Sequence, residues 1–229
     1  MNVYAIIPVK TLASSKKRLA KLLTVDERIQ LSEAMLYDVL CSVCNCKSIS
    51  KIIVVSKDEQ VLSIAREFGT TVVREKEELG VNAAVALTDS ICKDSDASIV
   101  IPQDLPLILP SDIGMLCDSA KKKSCVIITP SYRYDGTNAL LRKPPNVIKT
   151  HYDEDSYEIH LQKAKEHKVP VKIVMNRRLM LDLDEPNDII HIISGNSSTR
   201  TVSYLQEIKQ KLKGVEYNKG RKYQNIPEG

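Results

Sequence analysis

Short runs of apolar, β-branched residues alternate with amphipathic stretches through the first 130 residues of the chain. Runs of this length are typical of buried strands, whereas apolar residues at every third or fourth position are typical of helices. Because the two patterns follow one another in regular alternation, they predict a doubly wound α/β domain with a predominantly parallel sheet. The five predicted strands in this part are residues 3–9, 51–56, 70–74, 98–101 and 124–130.

Capping signals set the ends of the predicted helices. Thr24 and Glu27 form a capping box at the start of the first long helix. Gly69 is expected to end the second helix, and Ser111 is expected to cap a later one. The predicted helices are residues 24–44, 58–68, a short helix with Asn82 as its cap, 111–121, one within 151–168, one beginning at Pro186, and 199–212.

The later part of the chain mixes strands and helices, with predicted strands at residues 139–142, 169–175 and 180–184. The last of these, Met-Leu-Asp-Leu-Asp, alternates apolar and acidic residues. Since strand side chains alternate between faces, Asp182 and Asp184 are expected to point to the same side. Asp184 can also serve as a helix cap in front of Pro186.

The run that ends at Ile101 is predicted to be a central strand, and Asp104 follows it directly. Pro106 stops the chain from continuing the strand. In open α/β sheets, ligands bind just beyond the carboxyl ends of the strands. A carboxylate at that place can hold a divalent ion that bridges nucleotide phosphates, or it can simply cap a turn. From this stretch alone both interpretations stay open.

A loop of small and basic residues follows the first predicted strand, where mononucleotide-binding folds cradle phosphates. It lacks the glycines of a P-loop, and a run of charges often marks only a solvated face. The position of the loop nevertheless favours a triphosphate clamp. Its basic residues are Lys10, Lys16, Lys17 and Arg18.

The basic loop, Asp104 and the later pair of aspartates are predicted to meet at one edge of the sheet. The four histidines are scattered at positions 151, 160, 167 and 191, and no nucleophilic triad is evident. Carboxylates and lysines without an activated nucleophile suggest phosphate chemistry that depends on positioning and metal electrostatics.

The composition of the chain narrows the class of protein further. A chain of 229 residues with 43% hydrophobic and 27% charged residues is typical of one soluble globular domain. A net charge of +4 is no signature of nucleic-acid binding, and no apolar run is long enough to span a bilayer. The first residues do not have the layout of a signal peptide, so we expect a cytoplasmic protein.

Cys41 and Cys44 have the spacing of half a zinc site, but no second pair of ligands follows them. Both continue the apolar face of the first long helix. Free cysteine is among the most buried residue types, so the pattern favours small buried side chains at the end of that helix. Disulfides are not expected in a reducing cytosol.

Seven motifs occur in an order that closely resembles the family of 2-phospho-L-lactate guanylyltransferases, enzymes of coenzyme F420 biosynthesis. The resemblance covers about residues 3–194. The motifs are Ile7-Pro8-Val9-Lys10 with Arg18-Leu19, the helix from Arg28 to Leu40, Gly80-Val81-Asn82, Asp104-Leu105-Pro106-Leu107, Gly136-Thr137-Asn138-Ala139-Leu140, Ser156-Tyr157 with His160, and Asp182-Leu183-Asp184 with Pro186 and Asp188.

The resemblance implies a nucleotide-diphospho-sugar-transferase-like, Rossmann-like fold. It also implies the reaction of GTP with 2-phospho-L-lactate to give lactyl-2-diphospho-5′-guanosine and pyrophosphate. The implied roles are Asp104 with Asp184 or Asp182 as ligands of Mg²⁺, Lys10, Lys16 and Arg18 along the triphosphate, Gly80 and Asn82 at the guanine, and Thr137 and Ser156 at the acceptor.

One departure from the family pattern puts the acceptor in question. The family usually carries an aromatic-Gly pair shortly before the serine, whereas here Tyr152 is followed by the acidic residues 153–155. These acids are unfavourable beside an anionic acceptor unless they face solvent or Asp155 caps the helix. Phosphoenolpyruvate and 3-phosphoglycerate, acceptors of close relatives, therefore stay open as alternatives.

Three rival functions are possible for a chain of this kind. Molybdenum-cofactor and sugar-phosphate guanylyltransferases usually open with a glycine-rich loop that this chain lacks, and Asp182-x-Asp184 comes too late for the metal motif of a nucleotide-sugar glycosyltransferase. A binding module without catalysis is disfavoured because both acidic sites are retained. The apolar helix faces and the strand around residues 139–148 are compatible with a homodimer. Residues 1–213 are predicted to form one domain and 214–229 a flexible polar tail.

Overall fold

The computed structural model describes residues 1–194 and 197–208, and within them seven strands form one sheet. The strand order is β3-β2-β1-β4-β6-β5-β7. The strands are β1 (Val3–Pro8), β2 (Ile49–Ser56), β3 (Thr71–Arg74), β4 (Ala97–Val100), β5 (Cys125–Pro130), β6 (Thr137–Lys143) and β7 (Val171–Ile173).

Helices cover both faces of this sheet. The helices are α1 (Val25–Cys44), α2 (Glu59–Glu67), α3 (Val81–Ala86), α4 (Asp89–Cys92), α5 (Pro110–Ser119), α6 (Ser156–Glu166), α7 (Arg177–Met180), α8 (Pro186–Ile193) and α9 (Arg200–Glu207). Among the described residues, no helix has the length and apolar character needed to cross a membrane.

The predicted doubly wound α/β architecture is confirmed. β1 pairs in parallel with both β2 and β4, β2 pairs in parallel with β3, and β5 pairs in parallel with β7. Only β6 runs antiparallel to its two neighbours, β4 and β5. A strand that is parallel on both sides must bury both faces, which explains the nearly continuous apolar sequence of β1.

The two faces of β1 belong to two separate hydrophobic cores. Val3, Ala5 and Ile7 pack in the larger core together with residues of α1 and α5. Tyr4 and Ile6 lie on the opposite face in a smaller core that includes residues of α3. This alternation fixes the register of the central strands. Because β1 is parallel to both β2 and β4, the carboxyl ends of these strands lie at one edge of the sheet.

The predicted cap of α1 is confirmed. The Thr24 hydroxyl accepts a hydrogen bond from the Glu27 backbone N–H, and the Glu27 carboxylate accepts one from the Thr24 N–H. Gly69 follows α2 with φ of +69°, a conformation that glycine adopts without strain.

Two predicted caps were wrong. Helix α5 begins at Pro110, so Leu109 and not Ser111 is at the N-cap, where its N–H donates to the Asp112 carboxylate at 2.9 Å. Gly80, with φ of +91°, takes the N-cap position of α3 in place of Asn82. In both helices the predicted cap lies two residues after the actual N-cap, within the first turn.

The predicted strand at 180–184 was also wrong, because α7 ends at Met180 and the following segment is irregular. The predicted alternation of side chains is nevertheless present, although the segment does not pair with a strand. Leu181 and Leu183 are buried, and both aspartates line a cavity. Two backbone bonds hold the segment, from Tyr132 N–H to the Met180 carbonyl and from Leu183 N–H to the Asp104 carbonyl, at 2.9 and 3.0 Å.

Three further predictions from the sequence concern the cysteines, the homodimer surface and the C-terminal tail. The interpretation of Cys41 and Cys44 as buried side chains was wrong, since both are exposed on the outer side of α1. β6 lies inside the sheet between β4 and β5, so residues 139–142 of the predicted stretch 139–148 are buried, and the homodimer itself stays a prediction. The predicted tail 214–229 lies outside the described residues.

Candidate functional site

A cavity of about 770 Å³ opens beyond the carboxyl ends of β1 and β4, at the edge of the sheet where the sequence places its charged residues. Parallel α/β sheets bind their ligands at this edge. Eight of the ten predicted site residues line the cavity: Lys10, Lys16, Arg18, Asp104, Thr137, Ser156, Asp182 and Asp184. The convergence predicted from the sequence is therefore present in the structure.

Lys16 lies at the centre of the charged wall of this cavity. Its Nζ donates hydrogen bonds to Asp104 Oδ2 and Asp184 Oδ1, each at 2.7 Å. The side chain is only 4% exposed. Burial disfavours the ammonium, but the charges of the two carboxylates outweigh burial, so the pKa of Lys16 is raised above its ordinary value. The ammonium is thus a fixed positive charge that joins the two acidic segments.

The local backbone explains how Lys16 reaches this position. It has a left-handed conformation, with φ of +51°, immediately before a 3₁₀ turn at Lys17–Leu19. The turn is anchored by Leu19, which is fully buried. Arg18 projects outward, 65% exposed, with Nη1 at 3.3 Å from Glu185 Oε1 and 3.9 Å from Asp184 Oδ2. Arg18 therefore remains accessible to an anionic ligand.

The two late aspartates differ in their environment. The charge of Lys16 is the main reason why the pKa of Asp184 lies below its ordinary value. Asp182 is more deeply buried, and burial followed by the charges of Asp104 and Asp184 raises the pKa of Asp182 to about 7. The site carries more negative charge than its own cations neutralise, which is an environment that attracts a further cation.

Arg133 is a functional candidate that sequence reasoning missed, because its segment was interpreted only as a turn. Its guanidinium contacts Asp182 at 3.2 Å and Asp188 at 3.3 Å. Asn138 also donates to Asp182, at 3.2 Å. These contacts engage Asp182 with Arg133 and Asn138, whereas Asp104 and Asp184 share the Lys16 ammonium, and Asp184 also lies near the exposed Arg18. The sequence signal that could have identified Arg133 is a basic residue in a turn directly after a strand that leads to the site.

The donor set fits Mg²⁺. This ion prefers oxygen ligands and is usually held by one or two carboxylates together with substrate phosphates. Asp104 and Asp184 already surround one cation, the Lys16 ammonium. No group of three or more acidic, histidine or cysteine side chains within the described residues is preformed as a metal site. Two carboxylates are within the number that this ion usually takes from a protein.

Thr137 and Ser156, the predicted acceptor residues, meet on the opposite wall. Thr137 begins β6 and Ser156 begins α6, and both side chains are buried. Ser156 Oγ donates to Thr137 Oγ1 at 3.3 Å, and Thr137 Oγ1 lies 3.0 Å from His160 Nδ1. Hydroxyl groups at the start of a helix are suited to binding an anion.

His160 should make the protein less stable in acid. Burial, followed by the charges of Arg142, His151 and Lys163, lowers the pKa of His160 to about 3. The unfolded chain, with an ordinary histidine pKa near 6.5, binds a proton that the folded chain cannot, so stability falls as the pH drops below about 6.5. At pH 5 this difference corresponds to about 2 kcal/mol.

Urea unfolding of the wild type and His160→Asn at pH 7 and pH 5 measures this effect. The wild type should lose about 2 kcal/mol more between the two pH values than the variant does. His167→Asn, a change at an exposed position that follows the same helix, should lose as much as the wild type. An equal loss in all three proteins would show that His160 is protonated in the folded state.

Neither of the two predicted guanine-binding residues, Gly80 and Asn82, lines the cavity. Val81, between Gly80 and Asn82, is part of its lining. The Asn82 side chain accepts from the Tyr152 N–H at 2.8 Å and donates to Asp153 at 3.0 Å. Asn82 therefore fixes the loop that carries the acidic stretch, a contact that spacing did not predict.

The acidic stretch 153–155 lines the cavity and is exposed to solvent. Asp155 is at the N-cap position of α6 with φ of +55°, but its side chain makes no capping hydrogen bond. Of the two arrangements expected from the sequence, solvent exposure is present and side-chain capping is absent. The acids therefore border the site without being neutralised by the helix.

Comparisons with known proteins place these observations in a family. A family model described as guanylyl transferase CofC like matches residues 3–224. A phosphoenolpyruvate guanylyltransferase of Rubrobacter xylanophilus is 34% identical over 194 residues, which cover 84% of this chain and 94% of that protein. A 2-phospho-L-lactate guanylyltransferase of Methanobrevibacter smithii is 32% identical over 215 residues, covering 93% and 94%.

Solved structures agree on the fold. A protein of Desulfovibrio desulfuricans G20, described as a nucleotide-diphospho-sugar transferase, superimposes with a TM-score of 0.71 at 14% sequence identity. The match covers 93% of this chain and 97% of that one. The nucleotide-diphospho-sugar-transferase-like fold implied by the sequence motifs is therefore confirmed.

Proposed function

The chain belongs to the family of CofC-like guanylyl transferases, and we propose that it transfers GMP from GTP to the phosphate of 2-phospho-L-lactate in coenzyme F420 biosynthesis. The products are lactyl-2-diphospho-5′-guanosine and pyrophosphate. The observation that carries the proposal is the Lys16 ammonium held between Asp104 and Asp184 in one wall of a cavity whose other wall presents Thr137 and Ser156. One wall suits a triphosphate with its metal ion, and the other suits a small anion.

The reaction needs no general base from the protein. A phosphate oxygen of the acceptor, which is already anionic at neutral pH, forms a bond to the α-phosphorus of GTP. The bond between this phosphorus and the oxygen that bridges to the β-phosphate breaks, and pyrophosphate leaves with that oxygen. The step as written uses no histidine or cysteine side chain as a nucleophile or general base.

Charge neutralisation is the main task of the site. Two like unit charges 4 Å apart repel by about 4 kcal/mol at an effective dielectric constant of 20, and two polyanions must approach more closely than that. Lys10, Lys16 and Arg18 line the cavity and can contact the triphosphate and the leaving pyrophosphate. Because Lys16 is buried, its charge is already oriented and loses no solvation when the substrate arrives.

We propose Asp104 and Asp184 as the residues that hold Mg²⁺, with Asp182 as the alternative second ligand. The ion supplies charge stabilisation to the phosphates when it is bound. The engagement of Asp182 with Arg133 and Asn138 supports Asp184 as the second ligand. For the guanine, the backbone at Gly80 and the side chain of Asn82 remain our proposal, and the contact of Asn82 with the acceptor loop supports a linked arrangement of the two substrates.

Phosphoenolpyruvate is the second candidate acceptor. The Rubrobacter protein with that name is as similar to this chain as the 2-phospho-L-lactate enzyme is. In addition, Asp153 and its two acidic neighbours border the cavity where the family usually has a glycine. Because these carboxylates repel any anionic acceptor, they keep phosphoenolpyruvate open beside 2-phospho-L-lactate.

Mass spectrometry of the products tests the proposal. We expect a guanylylated product and pyrophosphate when GTP, Mg²⁺ and 2-phospho-L-lactate are incubated with the protein, and no product with CTP in place of GTP. Parallel reactions with phosphoenolpyruvate and 3-phosphoglycerate rank the acceptors by kcat/KM. A product with phosphoenolpyruvate alone would replace the acceptor but keep the reaction, and the absence of product with all three would contradict the proposed function.

We also propose that the enzyme acts in the cytoplasm, since its expected substrates are soluble phosphorylated metabolites, and that it works without nucleic acid. A homodimer remains a prediction. The exposed apolar residues Val171, Ile173 and Met175, at and just after the edge strand β7, support an interface there in place of the buried region 139–142. Light scattering of the purified protein measures the oligomeric state directly.

A further inference from the structure

His160 connects three separate segments of the acceptor wall although it does not line the cavity itself. Its side chain is fully buried on α6. One ring nitrogen, Nδ1, lies 3.0 Å from Thr137 Oγ1 at the start of β6. The other, Nε2, accepts a hydrogen bond of 2.9 Å from the backbone N–H of His151. The imidazole therefore bridges helix α6, strand β6 and the loop before the acidic stretch.

These two contacts fix the tautomer of the ring. A backbone N–H can only donate, so the nitrogen that faces it, Nε2, carries no proton. A neutral imidazole has one N–H group, and it must then be on Nδ1. The doubly protonated ring is excluded because it would place two donors against each other at His151. His160 is thus a neutral donor that faces Thr137 Oγ1 and also interacts with the Ser156 backbone.

The orientation of the Thr137 hydroxyl follows from this donor. Its oxygen accepts from His160 Nδ1 and from Ser156 Oγ, which uses both of its lone pairs. Its own hydrogen finds no acceptor among the described residues and is left for the cavity, which Thr137 lines. A hydroxyl whose oxygen is already doubly occupied can offer only its hydrogen to a ligand.

We infer that His160 is a positioning residue that turns Thr137 into an obligatory hydrogen-bond donor for the anionic acceptor. This inference rests on the proposed function, because it assigns the acceptor to the wall of Thr137 and Ser156. A donor of fixed direction favours a carboxylate or phosphate oxygen over a hydroxyl group or water that also needs to donate. The acceptor-binding step, and not the binding of GTP, depends on this arrangement.

Substitutions at His160 separate the donor function from simple packing. His160→Asn can place its amide N–H near the position of Nδ1, whereas His160→Gln reaches toward the position of Nε2, and His160→Leu offers no donor. We expect the KM of the acceptor to rise about ten-fold or more in the Leu and Gln variants and less in the Asn variant, with the KM of GTP unchanged. His167→Gln, after the end of α6, serves as the matched control with wild-type constants.

A double-mutant cycle shows whether the effect passes through Thr137. Once Thr137→Val has removed the hydroxyl, His160→Leu should raise the acceptor KM little further, since the group that it orients is gone. The acceptor used is 2-phospho-L-lactate or phosphoenolpyruvate, whichever the wild type guanylylates. Additive effects of the two substitutions, or equal losses in the Asn and Gln variants, would overturn the inference.

A measurement without turnover keeps this inference apart from the proposed function. ¹⁵N NMR of protein labelled in its histidines should show a ring protonated at Nδ1 and unprotonated at Nε2 whose signal disappears in the His160→Asn variant and persists in His167→Gln, which removes the other ring that faces a carbonyl through Nδ1. Protonation at Nε2 would overturn the inference whatever the enzyme does. If the wild type forms no guanylylated product but the Nδ1 tautomer is present, the proposed function fails and the orientation of Thr137 stands.

Discussion

Replacing Asp104 with asparagine is expected to lower the rate of guanylyl transfer by about 10²–10³-fold while the fold stays intact. The carboxylate has two partners in the proposed reaction, the Lys16 ammonium at 2.7 Å and the Mg²⁺ that it is proposed to hold. An asparagine of the same shape keeps an oxygen at the site but loses the negative charge. A loss of about 3–4 kcal/mol of charge stabilisation in the transition state gives this decrease.

The fold should tolerate this change because Asp104 also contributes repulsion. Its charge is the second cause, after burial, of the raised pKa of Asp182. Removing that charge costs Lys16 one partner but leaves it paired with Asp184, and it relieves part of the excess negative charge of the site. We therefore expect a melting temperature close to that of the wild type.

Initial rates of pyrophosphate release, measured with a Mg²⁺ titration, check this prediction. Asp118→Asn removes an exposed carboxylate from α5 and should leave the rate unchanged. The Asp104→Asn rate should stay low even at high Mg²⁺, because the remaining ligands hold the ion in a different place. Near-full activity of this variant with Mg²⁺ would contradict the assignment of Asp104 as a ligand.

The charged wall was predictable because its residues carry local signals. Asp104 follows an apolar β-branched run, and the basic residues follow the first strand. Parallel strands bring their carboxyl ends to one edge, so sequence order alone predicted that these groups converge. The structure adds what order cannot supply, namely that Lys16 lies directly between Asp104 and Asp184.

The contacts that escaped prediction join residues with no common local pattern. Arg133 reaches Asp182 across 49 positions of sequence, and His160 reaches Thr137 across 23. Each pairing depends on how a turn or a helix packs against a strand, and nothing in either segment specifies the partner. His160 even lies in a motif that the sequence interpretation used, but the motif alone does not give the direction of its ring nitrogens.

The incorrect strand at 180–184 has a different cause. Alternating apolar and acidic residues indicate an extended chain with two faces, and the chain here does bury Leu181 and Leu183 while its aspartates line the cavity. A strand also needs a neighbour with free backbone groups. The central ladder ends at Val100, so beyond it the segment makes isolated backbone bonds, such as the one from Leu183 N–H to the Asp104 carbonyl, and no ladder. The side-chain periodicity therefore predicted correctly which side chains are buried and which line the cavity, but it predicted incorrectly that the segment pairs with a strand.

Replacing Lys16 with methionine is expected to lower turnover by about 100-fold and, in the absence of Mg²⁺, to destabilise the protein by about 3 kcal/mol. Methionine keeps the length and apolar packing of the lysine stem, so the effects come from the lost ammonium. Without it, three neighbouring carboxylates face one another. Among the described side chains, the cations that still contact them are Arg133 and the exposed Arg18. A buried charge that loses its partner is costly.

Mg²⁺ should restore the stability of this variant but not its turnover. Bound between Asp104 and Asp184, the ion can take over the neutralising role of the ammonium, so it should raise the melting temperature of Lys16→Met more than that of the wild type, where the ion competes with Lys16. Turnover should stay low, because the ion does not replace the contact of Lys16 with the triphosphate.

Lys21→Met, an exposed change in the same region, is the matched control. Thermal unfolding and initial rates with and without Mg²⁺ measure both effects, and wild-type turnover in a Mg²⁺-stabilised Lys16→Met protein would show that Lys16 holds the acidic segments together without contacting the nucleotide.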